Sequence, residues 1–311
     1  MVSPFPPRQR NHHLPLRLHG VTTVAVSRVR QFSLQSRGKN SGGHRRHAGY
    51  RRRDRRGSVS TPLPPLDEKT ADAEESASAG ANIILPLRTP NSGQSTIAKV
   101  ESLGRRCRTF PCDLSNTPEV STLIARITSA GERIDILVNC AGWHVRKPAE
   151  AYTDAEVEGI WRVNLGGMFI LCRDVAAHWF AEDLAGWENG SGVPRKKIIN
   201  TASVLSFTGG TGLAAYTATK GGIAQVTKTF SNEWAARGIN VNAIAPGYIR
   251  TDLTRDLQEN PDKSVEVMER TPVGRWGETT DLAGLVVLLA SGASDFMAGA
   301  VVPIDGGYTA R

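Results

Sequence analysis

Four cysteines in 311 residues, Cys107, Cys112, Cys140 and Cys172, are too few for a disulfide scaffold and lack the spacing of a metal site. They read as buried free thiols of a reducing compartment, and no metal is expected. No apolar run reaches the ~18 to 20 residues a membrane span needs, so the sequence predicts a soluble protein without a membrane partner. Acids are almost missing from the first 56 positions, where 14 Lys/Arg face the single acid Asp54. The rest of the chain holds 24 basic and 29 acidic residues, a balance of about −5, so the formal charge of +8 describes a tail. Beyond Arg56 no basic face is interleaved with aromatics, which make up 6% of the chain, and nucleic-acid binding by the body is not expected.

What is present is a hydrophobic fraction of 40%, ample for a core, arranged from Gly80 onward as short apolar runs alternating with helical stretches. That alternation predicts an α/β fold, a single doubly wound domain with a parallel sheet covered by helices on both faces. Strands are expected at 82–87 (NIILPL), 107–113, 134–139 (IDILVN), 196–203, 239–247 and 299–307. Helices are expected at 95–104, 117–130, 154–184 and 214–237, and within 252–270 and 280–290. Residues 1–79 change character: rich in Arg, His, Ser and Pro and closed by an acidic patch, they read as a low-complexity segment, with 80–311 as the folded domain. One exception is GVTTVAVSRV (20–29), a β-branched run that reads as a strand with no glycine loop behind it.

The chemistry concentrates late in the chain. Tyr216 and Lys220 in YTATK are four apart on a predicted helix and project from one face. An ammonium near a phenol favours the phenolate, lowering a pKa that would otherwise lie near ~10 toward the range of a general acid/base. Ser203 ends a predicted strand just before that helix, and ligands of open α/β sheets bind outside the carboxyl ends of the strands. A hydroxyl there can donate to a carbonyl on which charge develops, although a turn-capping serine has the same sequence. Asn139, Ala141 and Gly142 in NCAG form a tight small-residue turn after the central strand that lets a ligand approach the backbone. Asn164 is a polar residue in an otherwise core-facing helix, open to a reading as a satisfied buried amide.

NCAG, Asn164, Ser203, YTATK, NAIAPGYIRT and VVPIDGG occur in the order and approximate spacing of the short-chain dehydrogenase/reductases, and from Gly80 to Arg311 the chain resembles that family. The resemblance implies a Rossmann-like fold and reversible hydride transfer between NAD or NADP and a secondary alcohol or ketone, without metal. By position, Tyr216 resembles the family's acid/base and Lys220 its ribose-binding partner. Ser203 would polarise the substrate carbonyl, and Asn164 would hold a water that relays protons to Lys220. Asp113 resembles the residue that meets the adenine amino group, while Asn139, Ala141 and Gly142 line the cofactor, and Ile199 to Thr201 pass beneath the nicotinamide. Pro246, Gly247, Ile249 and Thr251 would hold its carboxamide end. Arg88, just past the second strand, would face a 2′-phosphate and favours NADP.

GRRCRTFPCDLS, SVLSFTGG, NEWAARGINVNAIAPGYIRT and GRWGETTDLAG are similar to a narrower group, the 2-deoxy-D-gluconate 3-dehydrogenases, also called 2-dehydro-3-deoxy-D-gluconate 5-dehydrogenases. That group leans to NAD and implies a deoxy-gluconate or related sugar acid as substrate. Arg146 matches an arginine of its loop after the glycine turn and could pair with the substrate carboxylate. GGTGLAAY departs from it, because an arginine is expected near Gly212. The family is also commonly oligomeric, and the resemblance implies a homo-oligomer, dimer or tetramer.

The family's T-G-x-x-x-G-x-G turn, which binds the pyrophosphate between first strand and first helix, has no counterpart. FSLQSRGK (32–39) resembles the leader of that strand and AGANIIL (79–85) the start of the second. Between them, Arg/His-rich residues fill a span where roughly 20 to 25 residues would make one strand and one helix. Arginine CGN codons read one base on become Gly, Ala, Val or Asp codons, so 40–78 reads as a strand and loop out of frame. The first strand and glycine loop are therefore expected to be absent or replaced, which leaves a catalytically inactive, non-enzymatic homologue as the alternative. The acid-free stretch up to Arg53 also permits a mitochondrial transit peptide, against which its prolines and weak amphipathic period argue, or a solvated arm that binds nucleic acid. The expected location is cytoplasmic.

Overall fold

The computed structural model describes residues 23–27, 73–74, 76–89, 92–189 and 191–311. Seven strands form one sheet: β1 (Thr23–Ser27), β2 (Asn82–Leu87), β3 (Cys107–Pro111), β4 (Ile136–Asn139), β5 (Lys196–Thr201), β6 (Ile239–Pro246) and β7 (Val301–Ile304), in the spatial order β3-β2-β1-β4-β5-β6-β7. Inner strands β4 and β6 are buried at every position, as expected where helices cover both faces of a parallel sheet. The β2/β3, β4/β5, β5/β6 and β6/β7 pairs are parallel.

β1 departs from that pattern. It occupies the central place between β2 and β4 but runs antiparallel to both, with Ala25 opposite Ile84 on one side and Leu137 on the other. The sheet is mixed rather than wholly parallel, and the first strand is replaced rather than missing. TVAVS supplies the β-branched alternation a central strand needs and covers the edges that β2 and β4 would otherwise expose. Its direction has a consequence: Thr23 lies beside Asn139 at the carboxyl end of β4, whereas Ser27 lies beside Asn82 at the amino end of β2. β1 therefore ends at the edge opposite to the one where β4 and β5 end.

Helices cover both faces. On one, α2 (Thr117–Ser129), α3 (Asp154–Trp161), α4 (Met168–Ala181) and α5 (Ala214–Trp234) close a core containing Leu123, Ile127, Leu171, Trp179, Ile198 and Phe230. On the other, α1 (Gln94–Ser102) and α7 (Thr279–Ala290), the latter following α6 (Pro261–Arg270) in the chain, cover Ile83, Leu85, Val138 and Ile199 with Val100, Val286 and Leu289. Each such aliphatic side chain contributes about 1.5–3 kcal/mol when fully buried. Trp179, wholly buried, donates its indole N–H to Ile134 O at 2.8 Å, so its one polar group is satisfied.

Two expectations are corrected. The helix expected at 154–184 is interrupted by a π-helical turn, Arg162–Gly167, because the segment holds one widened turn that a strict 3.6 period does not reveal. The packed body also begins before Gly80: Ala73 and Ala77 are 0% and 2% exposed and join the core of Ala81, Ile83 and Leu85, their small side chains fitting against the sheet. The out-of-frame, transit-peptide and low-complexity readings fall mostly on 1–22 and 28–72, outside the described residues. No helix among the described residues is long and apolar enough to cross a membrane.

Candidate active site

Strands β4, β5 and β6 end at one edge of the sheet, and the segments leaving them converge there. After Thr201 the chain enters a short 3₁₀ turn, Val204–Ser206, that begins at Ser203. Ser203 is 9% exposed, and its Oγ accepts from Leu205 N at 3.1 Å, so the hydroxyl keeps its own hydrogen for another partner. A glycine-rich loop then leads into α5, whose first turn carries Tyr216 and whose second carries Lys220. Lys220 is 3% exposed; its Nζ donates to Thr201 O at 2.6 Å and stands 5.4 Å from the centroid of the Tyr216 ring. The helical spacing of four thus brings phenol and ammonium together under the end of β5.

Asn164 sits in the π-helical turn, buried, and pairs with the backbone of Trp143: its Oδ1 accepts from Trp143 N at 3.0 Å, and its Nδ2 donates to Trp143 O at 2.9 Å. A Cβ on Gly142 would stand 3.6 Å from Asn164 Oδ1 and 3.9 Å from Lys220 Nζ. Both groups therefore border one small space, which Gly142 leaves open.

A cavity of about 250 Å³ opens at this edge. Ser203, Tyr216 and Lys220 line it together with Gly142, Arg146, Pro246, Gly247, Ile249 and Thr251. Asn164, Asn139 and Ala141 instead line a smaller adjoining hollow. The side chain of Asn139 turns inward, where its Nδ2 donates to Asn200 Oδ1 at 2.9 Å and to Cys172 Sγ at 3.3 Å. Asp113 and Arg88 follow β3 and β2 at the same edge but line neither space, and Asp113 Oδ1 accepts from Ser115 N and Ser115 Oγ at 2.8 and 2.7 Å. Arg146 donates from Nη1 to Thr211 O at 3.0 Å, a contact that ties the loop after β4 to the loop before α5.

The sequence reading missed His144 and Tyr248. His144 packs edge-to-face on Tyr216, with 5.5 Å between ring centroids, and both missed residues line the cavity. Their signal was present, since each lies within two residues of a motif position, but nothing in the order of residues says which neighbours face inward. Gly247 has an explanation independent of any ligand: a Cβ there would lie 2.7 Å from Asp305 Cα, so the turn after β6 packs against the end of β7 only as glycine.

The groups around the cavity match one half of a nicotinamide dinucleotide. Thr201 Oγ1 and Thr251 Oγ1 are buried without a protein hydrogen bond, and both residues line the cavity. Two such hydroxyls beside Tyr216 and Lys220 fit a ribose and a carboxamide, each of which offers donors and acceptors. The phosphate centre is different, because Ser27, the carboxyl end of β1, lies at the edge of the sheet opposite the cavity. No described residue replaces the family's glycine turn. Among the described residues, no group of His, Cys, Asp and Glu could hold a metal ion.

The comparisons agree with this architecture. The short-chain dehydrogenase family model adh_short_C2, described as enoyl-(acyl carrier protein) reductase, matches residues 70–309. The 2-dehydro-3-deoxy-D-gluconate 5-dehydrogenase of Escherichia coli K12 is 39% identical over 232 residues, 75% of this chain and 85% of that protein. The gluconate 5-dehydrogenase of Gluconobacter oxydans is 33% identical over 230 residues, 74% of this chain and 86% of that one. Among solved structures, a gluconate 5-dehydrogenase from Burkholderia cenocepacia in complex with NADP and tartrate superposes with a TM-score of 0.72 at 33% identity, covering 79% of this chain and 92% of that chain. With the matched family model, the strand order and the relatives all in accord, this chain belongs to the short-chain dehydrogenase/reductase family.

Proposed function

We propose that the protein transfers a hydride reversibly between a nicotinamide cofactor and a secondary alcohol or ketone of a sugar acid of the gluconate or deoxy-gluconate class. The observation that carries this reading is the convergence of Ser203, Tyr216 and Lys220 on one cavity at the carboxyl edge of the sheet. A bound nicotinamide supplies the hydride acceptor or donor. The chain's own residues handle the oxygen and its proton. Ser203 donates its hydroxyl to the reacting oxygen, and Tyr216 takes the alcohol proton during oxidation or returns it during reduction. Lys220 places a positive charge beside the phenolate that forms and also holds the cofactor ribose. Asn164, next to Lys220 across Gly142, orders the water through which the proton leaves.

Pro246, Gly247, Ile249 and Thr251 hold the carboxamide end in this reading, Asp113 meets the adenine, and Asn139, Ala141 and Gly142 form the wall between the two halves. Arg88, the first residue past β2, faces the adenosine ribose and favours NADP, the cofactor named for the Burkholderia structure. Arg146 receives the substrate carboxylate at the cavity mouth, and the tartrate of that structure is itself a hydroxy acid. We place the enzyme in the cytoplasm as a homo-oligomer, the free thiols favouring a reducing compartment.

The test is an assay of the purified chain with NADP and NAD against D-gluconate, 2-deoxy-D-gluconate and a neutral polyol. Reduction of NADP by a sugar acid, lost in Tyr216→Phe, is the expected result. Turnover of the polyol with none of the acids would overturn the substrate class, and full activity in Tyr216→Phe would overturn the mechanism.

A further inference from the structure

One hydroxyl outside the set named above connects its members. Ser206 ends the turn Val204–Ser206, and its Oγ donates to the main-chain oxygen of Lys220 at 2.7 Å while accepting from Ser203 N at 3.3 Å. The turn closes on itself through Ser206 N, which donates to Ser203 O at 2.9 Å. Ser206 therefore touches the backbone of both the serine and the lysine of the site.

The position of this bridge matters because of what lies between its ends. The chain from Phe207 to Leu213 contains Gly209, Gly210 and Gly212, and of all residues glycine restrains a loop least. Covalent connection alone would leave the spacing between the Ser203 turn and α5 loosely defined. The Lys220 carbonyl lies inside α5, where its second lone pair is available to an acceptor role that the helix itself does not require. A side chain reaching that lone pair from another segment fixes where the segment stands against the helix. The same helix presents Tyr216 one turn earlier.

We propose that Ser206 is a positioning residue of the reaction, holding the Ser203 hydroxyl at a fixed place relative to the face of α5 that carries Tyr216 and Lys220. The inference rests on the acid/base reading of those residues. Ser206 contacts no reacting atom in this arrangement; it acts through the amide of Ser203 and the carbonyl of Lys220. Rate is sensitive to such placement, since a displacement of about 1 Å can cost about a hundredfold.

The experiment compares the full chain with Ser206→Ala and Ser206→Thr. The alanine variant is expected to lose about tenfold or more in kcat, with substrate KM and dinucleotide Kd held within about twofold. Threonine keeps the hydroxyl and restores kcat to within about threefold of the parent. In the absence of any ligand, amide hydrogen exchange at Ser203 is expected to quicken in the alanine variant and not in the threonine variant. Unchanged kcat in Ser206→Ala, equal loss in Ser206→Thr, or unchanged exchange at Ser203 would each overturn the proposal. If the parent chain turns over no sugar acid, the functional reading fails, and the exchange measurement still decides whether Ser206 holds Ser203.

Discussion

Lys220 Nζ donates to the main-chain oxygen of Thr201 at 2.6 Å, joining α5 to the last residue of β5 through a nearly buried ammonium. The same charge stands beside the Tyr216 ring. Replacing Lys220 by methionine therefore has two separable effects. A half-buried carbonyl loses its donor, which costs about 0.5–1.5 kcal/mol and lowers Tm. The phenolate loses its adjacent positive charge, so the pH at which alcohol oxidation reaches half its maximum moves upward. Thermal unfolding and a pH–rate profile measure the two separately. A lowered Tm with an unmoved profile would leave Lys220 a structural residue only.

The reversed central strand makes a sharper claim about the fold. Every N–H of a strand flanked on both sides points at one neighbour or the other, so proline at Ala25 removes a ladder hydrogen bond to β2 or β4. The partner left unsatisfied costs about 1–3 kcal/mol, which for a domain of this size lowers Tm by roughly 2–12 °C. Calorimetry of Ala25→Pro checks it. An unchanged Tm would mean that Thr23–Ser27 does not hold the centre of the sheet.

Much of this architecture was legible in the sequence, and the exceptions have physical causes. IDILVN and INVNAIAPG announce buried parallel strands because apolar residues face both ways, and YTATK announces its geometry because four residues nearly complete a helical turn. TVAVS announces a strand, but alternation is the same read in either direction, so its antiparallel run was not visible. The π-helical turn at Asn164 was hidden for a similar reason, since its apolar neighbours continue the helical pattern on both sides. Asn139 shows the limit of motif order, because the motif places its backbone at the site while Asn200 and Cys172 draw its side chain away from the cavity. Ser206 lay beyond reach, as its two partners are defined by distance and not by spacing.

The cysteines give a chemical test of packing. Burial pushes the thiols of Cys107 and Cys112 up to about 11, and full burial pushes Cys172 up as well, against the opposing hydrogen bond from Asn139. The thiolate is the reactive form, so these three resist alkylation at pH 7.5. Cys140 lines the cavity and is half-buried, so iodoacetamide is expected to label the folded chain there first and all four cysteines after denaturation, as read by mass spectrometry. The sign for stability follows: thiols kept neutral by the fold contribute fully below the unfolded value near 9 and lose that contribution as pH rises toward 11. Early labelling of Cys112 or Cys172 would contradict the packing of α2 and α4 on the sheet.

Gly212 offers the most direct probe of substrate recognition. Its φ of +73° lies in the left-handed region, and a Cβ there would stand 3.3 Å from Arg146 Cγ and 3.4 Å from Lys147 O. The carbonyl of Gly212 also accepts from Lys147 N at 3.0 Å and from the Tyr152 hydroxyl at 3.1 Å, so this glycine is the point where the loops after β4 and before α5 are pinned together. Arg146 fills the space that a side chain at 212 would need. Gly212→Ala is expected to cost about 1–2 kcal/mol for the backbone conformation alone and to push Arg146 aside. If Arg146 receives the carboxylate, KM for a sugar acid rises several-fold, while KM for a neutral ketone and the dinucleotide Kd stay within about twofold. Arg146→Ala should reproduce the KM change with a smaller loss of Tm, because it removes only the exposed contact to Thr211 O and leaves the glycine turn unstrained. Equal rises for acid and neutral substrates in both variants would remove Arg146 from carboxylate binding and leave it as a tie between the two loops.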